Sequence, residues 1–177
     1  MTQVLSIYLQ RELRSDHAGE TGAVFIYKGI VDVANWRNDI ELLSFAKAHG
    51  ATESEHLRQI EQWLPLAQRS LLLGPWRLAG WLTGALPAIF GRQSVYRTIA
   101  AVEIFVDQHY QQQIEHINSL GGPTELLSLL MKCQADEQDH RKESLALAVE
   151  KSSFLIRAWC WLVSWGSAVA VMLARRI

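Results

Sequence analysis

Apolar residues recur every three or four positions along almost the whole chain, and no stretch alternates with a period of two. That rhythm predicts amphipathic helices and no sheet, an all-α protein of about six helices. The first runs from about Val4 to Trp36, with Leu9, Leu13, His17, Glu20, Tyr27 and Val31 on one broad face. Asn38-Asp39 opens a second, whose stripe of Leu42, Phe45, His49, Glu53, His56, Ile60 and Leu64 leads to a stop near Pro65. A fourth covers about Gln93 to Leu120, carrying Ile99, Val102, Glu103, Val106, Tyr110, Gln113 and Ile117, and Gly121-Gly122-Pro123 ends it. The fifth starts at the Pro-Thr turn with Leu126, Leu130, Cys133, Glu137, His140, Ser144 and Leu147 in the same rhythm.

Two further segments are apolar nearly all round. Gly74 to Gly91 is rich in Trp, Leu and Gly, interrupted by Pro75 and Pro87, and short for a bilayer span. Phe154 to Leu173 is long enough to span, but Trp159, Trp161 and Trp165 with Arg157 at one end and Arg175-Arg176 at the other suit the headgroup boundary. Both are read as helices lying on a membrane surface, packed together as an apolar doorway.

The stripes carry charge where packing alone would place leucine. Glu53-x-x-His56 and Glu137-x-x-His140 each follow a lone glutamate, Glu20 or Glu103, by 53 − 20 = 33 and 137 − 103 = 34 residues, and the halves are 140 − 56 = 84 apart. Residues three apart share a helix face, so one Glu oxygen and one His nitrogen can reach a single ion. Four carboxylates meeting in an interior would repel strongly unless cations neutralised them. Four glutamates and two histidines form the ligand set of ferritin-like di-iron and di-manganese bundles, and hard carboxylates with few imidazoles suit iron or manganese. Glu55, His17 and Asp107 are weaker candidate ligands. His49 reads as a satisfied core histidine, Asp16 and Asp136 as acceptors for a ligand's second ring nitrogen or as solvated groups, and Tyr27 and Tyr110 as packed side chains within reach of the centre.

A length of 177 residues fits one domain, 1–177, with the bundle at about 4–65 and 93–148 and the membrane-associating helices at about 75–90 and 153–174. Lys plus Arg number 17 against 18 Asp plus Glu, which gives no electrostatic ground for nucleic acid. Cys133 and Cys160 lack metal or redox spacing and read as free thiols of a reducing compartment. The amino terminus has no secretory pattern, and Glu20 leaves little room for a presequence, so a complete, cytoplasmic chain is expected.

Asp16-His17-Ala18-Gly19-Glu20-x-Gly22-Ala23, Ile26-Tyr27-x-Gly29, Glu53-x-x-His56, Ala101-Val102-Glu103, His109-Tyr110 and Glu137-x-x-His140 together resemble the demethoxyubiquinone hydroxylases of ubiquinone biosynthesis, from about Ser15 to the end. The resemblance implies a carboxylate-bridged di-iron monooxygenase that uses O2 to hydroxylate the ring of a polyprenylated benzoquinol. Glu20, Glu53 and His56 would hold one iron and Glu103, Glu137 and His140 the other, with Glu53 and Glu137 bridging. His109 and Tyr110 would serve proton and electron movement. It also implies peripheral attachment at the cytoplasmic face of a bacterial inner membrane, a lipid-binding partner protein, contact with other enzymes of the pathway, and room for a homodimer. Asp107 departs from the family's usual uncharged residue.

No nicotinamide fold, flavin site or cysteine quartet is written in the sequence, so reducing power is expected on a partner or on the quinol. Rival readings are a quinol oxidase, a peroxidase or ferroxidase on the same bundle, and a membrane adaptor whose carboxylates are structural. The apolar helices favour a greasy substrate over iron storage.

Overall fold

A computed structural model describes residues 5–149 and 152–177; the expected start of the first helix at Val4 lies outside them. Six α-helices and no strand are present among the described residues: α1 Ile7–Arg37, α2 Ile40–Glu61, α3 Leu73–Ile89, α4 Arg92–Leu120, α5 Thr124–Leu147 and α6 Phe154–Ala174. Ser6 caps α1 by accepting the Leu9 amide. The α1–α2 reversal is made by Asn38 in the left-handed region, φ 56°, followed by Asp39, whose carboxylate caps α2 and also accepts from Arg92 at the start of α4. Gly121, at φ 86°, turns the chain from α4 into α5.

Helix α2 stops at Glu61, short of Pro65. The amides of Gln62 and Trp63 reach back only three residues, to Gln59 and Ile60, and the residue before a proline disfavours helical backbone. Conversely, α3 is not broken by its prolines. Pro75 lies in the first turn, where amides lack intrahelical acceptors anyway, and Pro87 forfeits one amide bond, to the Thr83 carbonyl, with only two helical residues left after it.

Helix α1 packs on α2, α4 on α5, and α3 and α6 lie outside them. The apolar core forms two clusters. One joins Ile26, Ile30, Leu42, Phe45, Tyr96 and Ile99; the other joins Leu9, Leu13, Ile60, Ile114, Ile117, Leu126 and Leu130. On α1, α2 and α4 the charged stripe residues fall between these clusters, so apolar layers seal them from both ends.

Helix α3 meets α1 backbone to backbone. A Cβ added at Gly80 would fall on the Gly22 carbonyl, at Gly84 on Ile26, and at Gly29 on Trp81. The close approach therefore depends on glycine. Gly84→Ala is expected to push the helices apart and destabilise the protein by about 2–3 kcal/mol, as overpacking does, read as a lower denaturant midpoint in urea unfolding.

The sequence suggests that the two apolar helices pack on each other. Instead both take α1 and α4 as main partners and face one another across a cavity, because the glycine seam commits α3 to α1 while Trp159 of α6 donates from its indole to Thr98 of α4. Leu78, Leu82 and Leu86 of α3 and Leu155 and Trp161 of α6 remain exposed. By length and composition, α6 is sufficient to cross a membrane.

Candidate metal centre

Glu20 of α1, Glu53 and His56 of α2, Glu103 of α4, and Glu137 and His140 of α5 converge in two overlapping groups. One contains Glu20, Glu53, His56 and Glu137; the other contains Glu53, Glu103, Glu137 and His140, with ligand atoms inside each group within 4.8 Å of one another. Every one of the six is buried. Glu53 and Glu137 belong to both groups.

The two imidazoles point the same kind of atom inward. His56 Nδ1 lies 3.2 Å from Glu137 Oε1 and 3.8 Å from Glu20 Oε2, while His140 Nδ1 lies 3.0 Å from Glu53 Oε1 and 3.5 Å from Glu137 Oε2. Yet Glu20 Oε2, Glu53 Oε1, both Glu137 oxygens and both Nδ1 atoms make no aligned hydrogen bond. Buried polar atoms are almost always satisfied. Six such atoms facing one another fit a site completed by cations, and the O/N donor set fits iron or manganese.

A family model described as "Ubiquinone biosynthesis protein COQ7" matches residues 7–174. The chain belongs to this family. It is 30% identical over 173 residues to the NADPH-dependent 3-demethoxyubiquinone 3-hydroxylase, mitochondrial, of Dictyostelium discoideum, covering 96% of this chain and 77% of that protein. It is 32% identical over 136 residues to the 3-demethoxyubiquinol 3-hydroxylase of Rhodospirillum rubrum, 75% of this chain and 62% of that one. The human protein named NADPH-dependent 3-demethoxyubiquinone 3-hydroxylase, mitochondrial, is 28% identical over 181 residues, covering 96% and 78%.

Around the six residues of this COQ7-family chain stands a layer of hydrogen-bonding groups. Asp136 Oδ2 is 3.0 Å from His56 Nε2, the outer-partner role considered for it from sequence. Tyr110 donates to Glu20, and Tyr27 donates to Glu103 Oε1 over 3.3 Å. Each tyrosine is seven residues beyond one lone glutamate yet reaches the glutamate of the other half. Burial pushes both phenols well above their usual pKa, so they stay protonated donors.

His109 is drawn elsewhere. It lines a cavity beside the carboxylates, but its Nε2 lies 2.9 Å from Asp16 Oδ1 and 3.1 Å from Ser15 Oγ, away from the six. Asp16 thus serves His109 and Gln113, not a ring of the cluster. The weaker candidate ligands also have other partners. Glu55 is paired with Arg58 at the surface, His17 with Glu61, and Asp107 with Arg141 and the amides of Gln134 and Gln138. A carboxylate with a neighbouring cation gains nothing by turning inward; for Glu55 that cation is one turn along its own helix, whereas for Asp107 it comes from α5, which helix spacing alone does not reveal. By its spacing on α2, His49 is a satisfied core histidine. It is buried with both ring nitrogens partnered, and it stacks directly on His140.

The cavity in this COQ7-family chain holds about 350 Å³. Its floor is Glu20, Glu53, Glu103 and Glu137, and its walls include Gly19 and Gly22 of α1, Gly80 of α3, Val106 of α4, and Trp159 and Val163 of α6. Because α3 and α6 form two of its sides, the exposed apolar helices lead directly to the carboxylates.

Without cations the cluster is electrostatically unfavourable. Burial, then Glu53 and Glu137, hold Glu20 well above the ordinary carboxylate range; burial, then Glu137 and Glu53, do the same for Glu103. For His140, burial alone would lower the pKa, but Glu137 and Glu53 reverse this and raise it to about 9. A carboxyl raised on folding destabilises the fold once ionised, above its ordinary 4.5. A histidine raised on folding stabilises below its ordinary 6.5, and that stability is lost as pH rises through about 9. Glu53, opposed by burial but held near 2 by the two imidazoles, has the opposite sign and acts only in acid. The metal-free protein is therefore expected to lose melting temperature between pH 6.5 and about 9, measured by thermal unfolding after chelation, with the loss smaller in Glu137→Gln, which leaves only Glu53 beside the His140 ring.

Proposed function

We propose that the chain is a di-iron monooxygenase that hydroxylates the ring of a polyprenylated demethoxy-benzoquinol in ubiquinone biosynthesis, as a 3-demethoxyubiquinol 3-hydroxylase. The observation that carries this is the juxtaposition of six buried ligand-type side chains with an apolar cavity whose floor they form. Glu20, Glu53 and His56 would hold one iron and Glu103, Glu137 and His140 the other, with Glu53 and Glu137 shared between them. The helices form a ferritin-like four-helix core of α1, α2, α4 and α5 within a single domain.

Bound there, a ferrous pair supplies the Lewis acidity and electrons that activate O2. The balance is simple: one oxygen atom enters a ring C–H bond, the other leaves as water, and two electrons and two protons are consumed. The electrons come from the quinol or from an external reductant, and the relatives named NADPH-dependent point to a nicotinamide for them.

The remaining work belongs to the protein. Tyr110 and Tyr27 hold Glu20 and Glu103 by hydrogen bonds, and Asp136 fixes the ring of His56. The walls from Gly22, Val106 and Trp159 accept an aromatic ring, exclude water and aim one ring edge at the carboxylates. His109, with Asp16 behind it, lines the same cavity and is placed to exchange protons with a quinol hydroxyl. The exposed faces of α3 and α6 support peripheral attachment to the quinone-bearing membrane, taken as the cytoplasmic face of a bacterial inner membrane. A lipid-binding partner or a second copy of the chain would share this surface.

Metal analysis of the purified chain combined with product mass after turnover under labelled O2 tests the reading. One labelled oxygen in the quinol with two irons per chain supports it. Water as the sole reduced product would assign a quinol oxidase instead.

A further inference from the structure

The two halves of the centre repeat at an offset of 84 residues, since 56 + 84 = 140, but the same offset carries His49 onto Cys133, since 49 + 84 = 133. The halves therefore differ at this position. His49 lies against one half only. Its ring stacks on His140 with centroids 4.1 Å apart and planes at 25°, and Phe45 lies 4.2 Å away, so aromatic neighbours confine it. Its Nδ1 is 3.3 Å from the Tyr27 hydroxyl, which itself donates to Glu103. Its Nε2 is 3.0 Å from Glu143 Oε2, one turn beyond His140 on α5. Both terminal ligands of the Glu103/His140 half thus rest on His49: His140 by stacking and Glu103 through Tyr27.

The other half is supported differently. Cys133 is a buried free thiol, too small to stack and only a weak hydrogen-bonding group. His56 depends instead on Asp136, bonded at its remote nitrogen.

We propose that His49, clamped by Glu143, is a positioning residue for the Glu103/His140 half alone, so that the two metal positions are supported unequally and can be weakened one at a time. The proposal rests on the di-iron reading above. Without His49, the His140 ring loses the plane that fixes its orientation, and Tyr27 loses the second contact that keeps its phenol over Glu103. Outer-layer partners of metal ligands are worth about 10- to 100-fold in affinity, and here that factor falls on one ion.

Anaerobic titration of the metal-free full-length chain with ferrous ion, followed to saturation, reads this directly. The wild type is expected to take up two equivalents. In His49→Leu one equivalent keeps its affinity and the other weakens by about 10- to 100-fold. Glu143→Gln, at a largely exposed side chain, shows the same selectivity in weaker form. Asp136→Asn weakens the opposite equivalent, so His49→Leu combined with Asp136→Asn weakens both. Equal weakening of both steps in His49→Leu, or an unchanged isotherm, overturns the proposal. If His49→Leu fails to fold, as judged by its circular dichroism, an unchanged isotherm in Glu143→Gln overturns it instead. A wild type that binds no ferrous ion would overturn the di-iron reading itself, whereas a wild type taking two beside an unmoved variant removes only this positioning role.

Discussion

Glu137→Ala and Glu137→Gln are expected to abolish metal binding at both positions and reduce quinol hydroxylation to background, and the metal-free Gln variant is expected to melt below the metal-free wild type at pH 7. Both effects follow from geometry. Glu137 belongs to both ligand groups, and neither of its oxygens has a hydrogen-bond partner among the described residues. Without a metal, Glu137 is also the counter-charge of two imidazoles, its Oε1 3.2 Å from His56 Nδ1 and its Oε2 3.5 Å from His140 Nδ1, so neutralising it leaves both short of a partner at a cost of about 1–3 kcal/mol. For a chain of this size the loss amounts to a fall of roughly 3–10 °C in the melting temperature of the chelated protein. Loss of the bridge costs both ions, so iron content and product formation disappear together. An inactive Gln variant that still binds two irons would contradict the assignment of Glu137 as a bridge, and one whose metal-free form melts above the wild type would contradict its pairing with the imidazoles.

The convergence of Glu20, Glu53, His56, Glu103, Glu137 and His140 was legible in the sequence because helix periodicity fixes which face a residue occupies, and all six sit on apolar stripes. The layer around them was less legible. Tyr27 and Tyr110 recur at seven-residue spacing, which places them on the centre's side, but their crossing to the opposite half depends on how α1 and α4 approach. His49 lies on the same stripe as Glu53 and reads from spacing alone as core; its stacking on His140 depends on the placement of α5 beside α2. Asp107 and His17 share faces with Glu103 and Glu20 but are diverted by Arg141 and Glu61, neighbours supplied by other helices. The prolines of α3 suggest interruption because their effect depends on where the helix begins and ends, and end positions follow from packing. The glycines of the α1–α3 seam show the same limit. Gly22, Gly80 and Gly84 resemble ordinary flexible residues until the helices are brought together.

Gly22→Phe separates access from chemistry and is expected to lower hydroxylation of a polyprenylated quinol by about 100-fold, the cost of displacing a reacting group by about 1 Å, without loss of iron. Gly22 lines the cavity two residues beyond Glu20, and a Cβ at this position would meet no heavy atom within 4 Å. The new side chain therefore extends into the space reserved for the quinol ring, not into α3, whose contact is with the Gly22 backbone. Replacing a mid-helix glycine also recovers about 0.5 kcal/mol of helix propensity, so the fold should be at least as stable. Iron per chain and the two-step ferrous isotherm should match the wild type, and turnover of a tail-less, smaller quinol should fall less than that of the prenylated one. Loss of iron along with activity would mean that the phenyl ring has displaced Glu20. Full activity with iron retained would mean that the quinol reaches the carboxylates by another route, and that the space between α3 and α6 is not the entrance.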